Sequence, residues 1–136
     1  MYKMSQEDIQ AYTLAGKAVL TLESTKTGKR YTYKVKSKPG VWFVSLLTGS
    51  NNDCDYTYIA FFRDDLQLRL SNKSSMPESA KPVQAFKFFL DRLGNLPDCL
   101  NVYHSGKCGR CGRTLTVPES IKMGLGATCA GKERYT

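Results

Sequence analysis

The chain has 136 residues, of which 41% are hydrophobic, and a formal net charge of +8. This composition argues against an intrinsically disordered chain, and no apolar run approaches the roughly 18 residues that a membrane span needs. The first residues lack the apolar core of a signal peptide, and five cysteines, an odd number, argue against a disulfide framework. We therefore expect a cytoplasmic protein with reduced thiols and a positive surface suited to an acidic partner.

The N-terminal part of the chain predicts a short helix followed by an antiparallel β-meander. Residues 5–14 predict the helix, with Ser5 as its N-cap. Polar or glycine-containing turns then separate apolar segments of strand length. The five predicted strands cover residues 18–24, 30–37, 41–48, 55–62 and 66–71.

Two of these strands indicate how the sheet is covered. Residues 30–37 alternate in character, as a strand with one buried face does. One face carries Tyr31, Tyr33 and Val35, and the other carries Arg30, Thr32, Lys34 and Lys36. Residues 41–48 are apolar on both faces, which predicts an interior strand that is covered on both sides.

A second helix is predicted over residues 82–93, where Pro82 fits the first turn and Gly94 fits the C-terminal cap. Because one helix covers only one face of the sheet, we expect the N-terminal helix, the C-terminal module or a second copy of the chain to cover the other. If a second copy covers it, the protein is a homo-oligomer that assembles through the uncovered sheet face. The predicted fold class is α+β, a five-stranded antiparallel meander packed by one helix, with a C-terminal zinc-knuckle module. The corresponding segments are residues 1–16, 17–98 and 99–136.

The C-terminal module is predicted from three cysteines and the single histidine of the chain. His104, Cys108, Cys111 and Cys129 follow the spacing His-x3-Cys-x2-Cys-x17-Cys. Three thiolates and one imidazole form a complete tetrahedral shell for zinc. A complete shell has no open position for water, so we expect the zinc to be structural. Cys99 is the alternative fourth ligand.

The segment between the second and third thiols predicts how the chain returns to the metal. Thr116 and Glu119 have the spacing of a capping box, which predicts a short helix over residues 117–123. Gly124 and Gly126 are expected to end that helix and bend the chain back toward Cys129.

Residues 104–130, with the thiol pair, the glycines and the Thr-x2-Glu segment described above, resemble a small zinc-binding domain of unknown function. That domain recurs at the C-terminus of proteins of bacteriophages and their hosts. The resemblance implies a phage or prophage origin, and hence the cytoplasm of a host cell. It implies no activity.

Basic residues are the candidates for a binding surface. Three lie on one face of the second strand, and four surround the zinc module, where half of the net charge falls. The candidates are Arg30, Lys34, Lys36, Lys107, Arg110, Arg113 and Lys122. Alternative explanations are a solvated strand that lysines protect from aggregation and compensation for the negative charge of three thiolates on one Zn²⁺.

Two functions fit these features. The chain contains no nucleophile motif and few general acid–base groups, so we expect a non-enzymatic protein with no catalytic residues. The first prediction is a nucleic-acid-binding accessory protein, because basic surfaces attract phosphates. The alternative is a protein that binds an acidic host protein and inhibits or modulates a host enzyme, such as a defence nuclease, in the manner of an anti-CRISPR or other anti-defence factor.

Overall fold

A computed structural model describes residues 1–51, 54–127 and 129 of the chain. The described residues form one antiparallel sheet of six strands and three helices. The strands are β1 (Tyr2–Lys3), β2 (Lys17–Ser24), β3 (Arg30–Lys38), β4 (Val41–Leu47), β5 (Tyr56–Phe62) and β6 (Leu100–His104). The helices are α1 (Gln6–Thr13), α2 (Lys81–Asp91) and α3 (Pro118–Met123). The strand order is β1-β6-β2-β3-β4-β5.

The α+β class and the meander from β2 to β5 are confirmed, but the predicted count of five strands is wrong. Residues 66–71 are not a strand, since they meet β5 only through an isolated bridge between Phe61 and Arg69. Leu66 adopts a left-handed backbone conformation with φ of 55°, which breaks the extended chain at its start. Leu66, Leu68 and Leu70 pack against the core instead of forming a ladder.

Two strands that the sequence analysis does not predict, β1 and β6, complete the sheet beside β2. The strand β6 pairs with β2 from Leu20 opposite His104 to Ser24 opposite Leu100. The predicted boundary of the zinc module at residue 99 therefore falls just before a strand of the main sheet. The end of that predicted module, residues 130–136, lies outside the described residues.

The helices α1 and α2 lie on the same face of the sheet. The ring of Phe86 in α2 contacts Tyr33 and Phe62, with centroids 5.0 and 6.3 Å apart. The ring of Tyr12 in α1 lies 5.5 Å from the ring of His104, which is paired with Leu20 on that same face. The alternation predicted for β3 is confirmed, because Tyr33 and Val35 are fully buried under these helices.

The opposite face, which we call the open face, has no helix or strand over it among the described residues. The prediction that β4 is covered on both sides is therefore not met, and Phe43 and Leu47 are only half-buried. Their neighbours on that face are aromatic side chains of β5.

The helix ends agree with the sequence in part. Ser5 is the N-cap residue of α1, as predicted, although its side chain makes no capping hydrogen bond. The predicted capping box is wrong, because Val117 rather than Thr116 is the N-cap of α3. Gly124 ends α3 in the left-handed conformation with φ of 72°, as expected of a C-terminal glycine. Within the described ranges, no helix has the length and apolar character needed to cross a membrane.

Candidate metal centre and basic sheet face

Three cysteines form a cluster at the C-terminal end of the described chain. The Sγ atoms of Cys108, Cys111 and Cys129 all lie within 4.8 Å of one another. Thiolates at about 2.3 Å from a tetrahedral zinc ion are separated by about 3.8 Å. The cluster is therefore able to hold a metal ion after small side-chain adjustments, and its all-sulfur donor set favours a soft or borderline ion such as zinc.

The backbone around Cys108 forms a tight turn that supports the cluster. The amide of Cys108 donates to the carbonyl of Arg113 at 2.8 Å, and the amide of Gly112 donates to the carbonyl of Cys108 at 2.9 Å. Gly112 has a φ of 81°, which explains the glycine after the second thiol. The amides of Arg110 and Gly126 point at the Cys108 sulfur, at 3.5 and 3.3 Å. These donors stabilise a thiolate at that position.

Cys108 and Cys129 differ in acidity. Burial raises the pKa of Cys108, but hydrogen bonds from Cys111, Gly126 and Arg110 outweigh burial and lower it to about 7. Burial and the neighbouring Cys108 and Cys111 side chains raise the pKa of Cys129 to about 11. Cys108 therefore loses its proton at a lower pH than Cys129, and Cys129 needs the positive charge of a bound cation to become a thiolate near neutral pH.

His104, the predicted fourth ligand, lies in the interior of the protein with an exposure of 1%. Its Nδ1 accepts a hydrogen bond from the amide of Gly106 at 2.9 Å, and its Nε2 donates to the carbonyl of Ile121. Both ring nitrogens are therefore used, and the imidazole is held in its neutral form with the proton on Nε2. Burial lowers the pKa of His104, which favours the same form. This geometry differs from the predicted ligand set, because His104 joins β6 to α3 rather than the thiols to a metal.

Cys99, the alternative fourth ligand, is not part of the cluster either. Its carbonyl accepts a hydrogen bond from the amide of Thr25, at the end of β6 that is remote from His104. Among the described residues, the cluster of potential metal ligands contains only the three cysteines. The described residues therefore do not supply the fourth ligand that a complete protein shell requires.

Tyr12 connects the sheet to the segment that carries the three thiols, residues 105–127 and 129, which we call the metal module. Its ring lies against Gly109 and Gly124, where an added Cβ would approach Cδ1 of Tyr12 to 2.5 Å in each case. Its hydroxyl donates to the carbonyl of Val19 at 2.7 Å and accepts from the amide of Val19 at 2.9 Å. Because β6 pairs with β2 only from Leu20 onward, this hydroxyl takes the place of the next strand residue. Burial raises the pKa of Tyr12 to about 12, so the hydroxyl keeps its proton at neutral pH.

A basic cavity lies where the open face meets the metal module. Its volume is about 540 Å³, and four lysines from three segments line it. These are Lys17, Lys34, Lys36 and Lys107. Thr21 and Thr32, joined by a hydrogen bond of 2.7 Å between their hydroxyls, also line the cavity. This arrangement concentrates positive charge and hydroxyl groups in one concave surface.

The structure thus brings together three of the seven predicted surface residues, namely Lys34, Lys36 and Lys107, and adds Lys17. Arg30 lies on the same face but forms an ion pair with Glu23 at 2.7 Å. Lys122 is on the helical side, where its ammonium pairs with Glu7 at 2.9 Å and Asp8 at 3.7 Å.

The remaining two predicted residues lie beside the thiols. Arg110 is half-buried, with its amide directed at Cys108. Arg113 is exposed and lines a separate cavity of about 500 Å³ at the cysteine cluster.

Aromatic residues on the open face are missed by the sequence analysis, which considers only the tyrosines of β3. The missed residues are Phe43, Tyr56, Tyr58 and Phe61. Pairing 41–47 with 56–62 as a hairpin and following the alternate residues would have placed these rings on the same face as Lys34 and Lys36.

The metal module matches a protein-family model. A family model described only as a family of unknown function, DUF6011, matches residues 100–134, roughly a quarter of the chain. No curated protein and no solved structure matches the chain. The match begins with β6, so the family segment includes the strand that anchors the module to the sheet. The phage origin implied by the resemblance stays a prediction.

Proposed function

We propose that this protein is a non-enzymatic, zinc-binding accessory protein that binds nucleic acid through the open face of its sheet. The observation that carries the proposal is the convergence of Lys17, Lys34, Lys36 and Lys107 around one cavity. Phosphate groups are the ligands that such a cluster of ammonium groups attracts most strongly, and the attraction is independent of base sequence.

Zinc has a structural role in this proposal. The three thiols support the segment that carries Lys107, and Lys107 itself is bridged to Thr114 on the far side of the thiol pair. The module has a small core of its own, Cys108, Leu115 and Leu125, which is too small to hold this segment without a metal. Metal binding therefore fixes one wall of the basic cavity.

The net charge alone does not separate nucleic acid from an acidic host protein as the partner. The distribution of the lysines favours nucleic acid, because they follow β3 and continue across β2 toward the metal module in a track. A regular polyanion fits a track of charges better than an isolated acidic patch does. The inhibitor of a host enzyme is therefore the less favoured function.

The proposal is tested by binding to single- and double-stranded DNA and RNA across a salt series. We compare the full chain with the double variant Lys34→Ala/Lys36→Ala. The matched control is Lys81→Ala/Lys87→Ala, which removes the same charge from α2 on the helical side. The slope of log K against log salt is negative, and each lost phosphate contact reduces its magnitude by about 0.7 for a single strand.

We expect the magnitude of the slope to decrease by about 1.4 in the double variant of β3 and to stay unchanged in the control. Equal loss in both double variants would show that net charge, and not the open face, drives binding. Micromolar or weaker binding with no salt dependence in the wild type would refute the proposed function.

A further inference from the structure

The open face combines its lysines with a second, aromatic feature that phosphate binding alone does not use. Strand register places Lys34 opposite Ser45 and Lys36 opposite Phe43. On the next strand pair, Phe43 lies opposite Phe61, and Ser45 lies opposite Tyr58. A row of ammonium groups therefore runs beside a row of aromatic rings, about one strand spacing of 4.8 Å away.

Three of the four rings that β4 and β5 place on this face lie beside cations rather than in the hydrophobic core. Lys34 Nζ lies 4.3 Å from the centroid of Tyr56, and Lys38 Nζ lies 5.9 Å from that of Phe43. At the end of β5, the guanidinium of Arg63 lies 5.8 Å from the centroid of Phe61. These rings are half-buried, in contrast to Phe62, Phe86 and Phe89 on the helical face, which are fully buried.

We propose that the open face binds single-stranded nucleic acid, with bases stacked on the rings of β4 and β5 and phosphates on the lysines of β3. This inference rests on the proposed function and specifies the form of its ligand. In a duplex the faces of the bases are stacked on each other, whereas a single strand exposes them to aromatic side chains. A face with rings and ammonium groups in adjacent rows can therefore contact both the bases and the phosphates of a single strand.

Charge argues against a second copy of the chain as the occupant of this face. In a two-fold symmetric dimer the same surface lies on both sides of the interface. The lysine rows of both copies would then lie within one interface. A polyanion neutralises these charges, while a second copy adds to their repulsion.

The inference is tested with the variant Phe43→Leu/Phe61→Leu in the full-length, zinc-loaded protein. Leucine keeps an apolar side chain at each position but removes the flat ring on which a base stacks. The matched control is Phe88→Leu, because Phe88 is also an exposed ring beside a cation, the guanidinium of Arg92 at 3.8 Å, but lies on α2. Tyr58→Leu is a second variant in case the double substitution unfolds the sheet, which urea unfolding reports.

The probes are a fluorescein-labelled single-stranded oligothymidylate, the same length of oligouridylate, and a mixed-sequence DNA duplex. We expect the double variant to bind both single strands at least 10-fold more weakly, since each base–ring stack accounts for about 5-fold or more. Its salt slope should equal that of the wild type, because its lysines are intact. The Phe88→Leu control should bind as the wild type does, and the duplex should bind more weakly than either single strand.

Two results would overturn the inference while leaving the proposed function intact. One is unchanged single-strand affinity in the ring variants together with a loss in Lys34→Ala/Lys36→Ala. The other is a duplex that binds as tightly as the single strands. If sedimentation shows a wild-type dimer that dissociates in the ring variant, the face is a homo-oligomer interface and the inference is wrong. Absence of salt-dependent binding to any of the three probes would refute both the inference and the proposed function.

Discussion

The hydroxyl of Tyr12 provides a sharp test of how the metal module is joined to the sheet. The variant Tyr12→Phe keeps the ring between Gly109 and Gly124 but removes the donor and the acceptor for Val19. Each buried backbone group left without a partner costs about 1–3 kcal/mol. Because Val19 also lines the open cavity, water can reach it, so we use the lower limit for both groups. The expected loss in the free energy of unfolding is therefore about 2 kcal/mol.

The assay is urea unfolding of the zinc-loaded protein, followed by far-ultraviolet circular dichroism. With an m-value of about 2 kcal/mol per M, the midpoint should fall by about 1 M. The matched control is Tyr31→Phe, since no hydrogen bond of the Tyr31 hydroxyl is found among the described residues, and its midpoint should change little. A change below about 0.5 kcal/mol for Tyr12→Phe would refute the view that this hydroxyl replaces a strand residue beside β2.

Four further predictions concern the metal module. Replacing Cys111 with Ser should release zinc and lower the thermal midpoint, and unchanged zinc content by mass spectrometry would contradict the assigned cluster. His104→Gln should bind one zinc ion per chain as the wild type does, because the imidazole is engaged with Gly106 and Ile121; loss of zinc would make His104 a ligand. Since the pKa of His104 is lowered on folding, its neutral form stabilises the protein above its usual pKa near 6.5, and this contribution is lost as pH falls below that value. Urea unfolding at pH 7.5 and 5.5 should therefore show a smaller acid-induced loss in His104→Gln than in the wild type, and an equal loss would argue against this role. Gly109→Ala should cost about 1–3 kcal/mol in the same assay, because its Cβ would overlap the anchored Tyr12 ring; an unchanged midpoint would contradict that packing.

Local patterns in the sequence predict the parts of the fold that depend on neighbours along the chain. The alternation along β3 follows from its own nine residues, and the meander follows from turns that contain glycine. The apolar stripe of α2, with Val83, Phe86, Phe89 and Leu90 buried, follows from helical periodicity. These elements need no information from distant parts of the chain.

The strand β6 is different, because its pairing partner β2 is about 80 residues earlier in the chain. Its five residues include Asn101 and His104, so hydrophobic alternation is weak, and the ladders with β2 and β1 make the segment extended. The position of His104 follows from this strand. Spacing along the chain permits the imidazole to reach the thiols, but the register with Leu20 directs it into the core beside Tyr12.

The candidate binding surface was predictable in part for the same reason. Lys34 and Lys36 are identified within one strand, whereas Lys17, Lys107 and the rings of β5 join them only through pairing between strands. A surface that is assembled from four strands and the segment of Lys107 requires the sheet register, which composition and local spacing do not contain.

The central claim, that the open face of the sheet binds nucleic acid, is tested most directly by nuclear magnetic resonance of the labelled, zinc-loaded protein. A single-stranded oligonucleotide is titrated while the aromatic ring protons are followed. We expect large shift changes for Phe43, Tyr58 and Phe61, and little change for Phe86 and Phe89 on the helical face. Shift changes confined to the helical face, or none at a saturating oligonucleotide concentration, would contradict the claim.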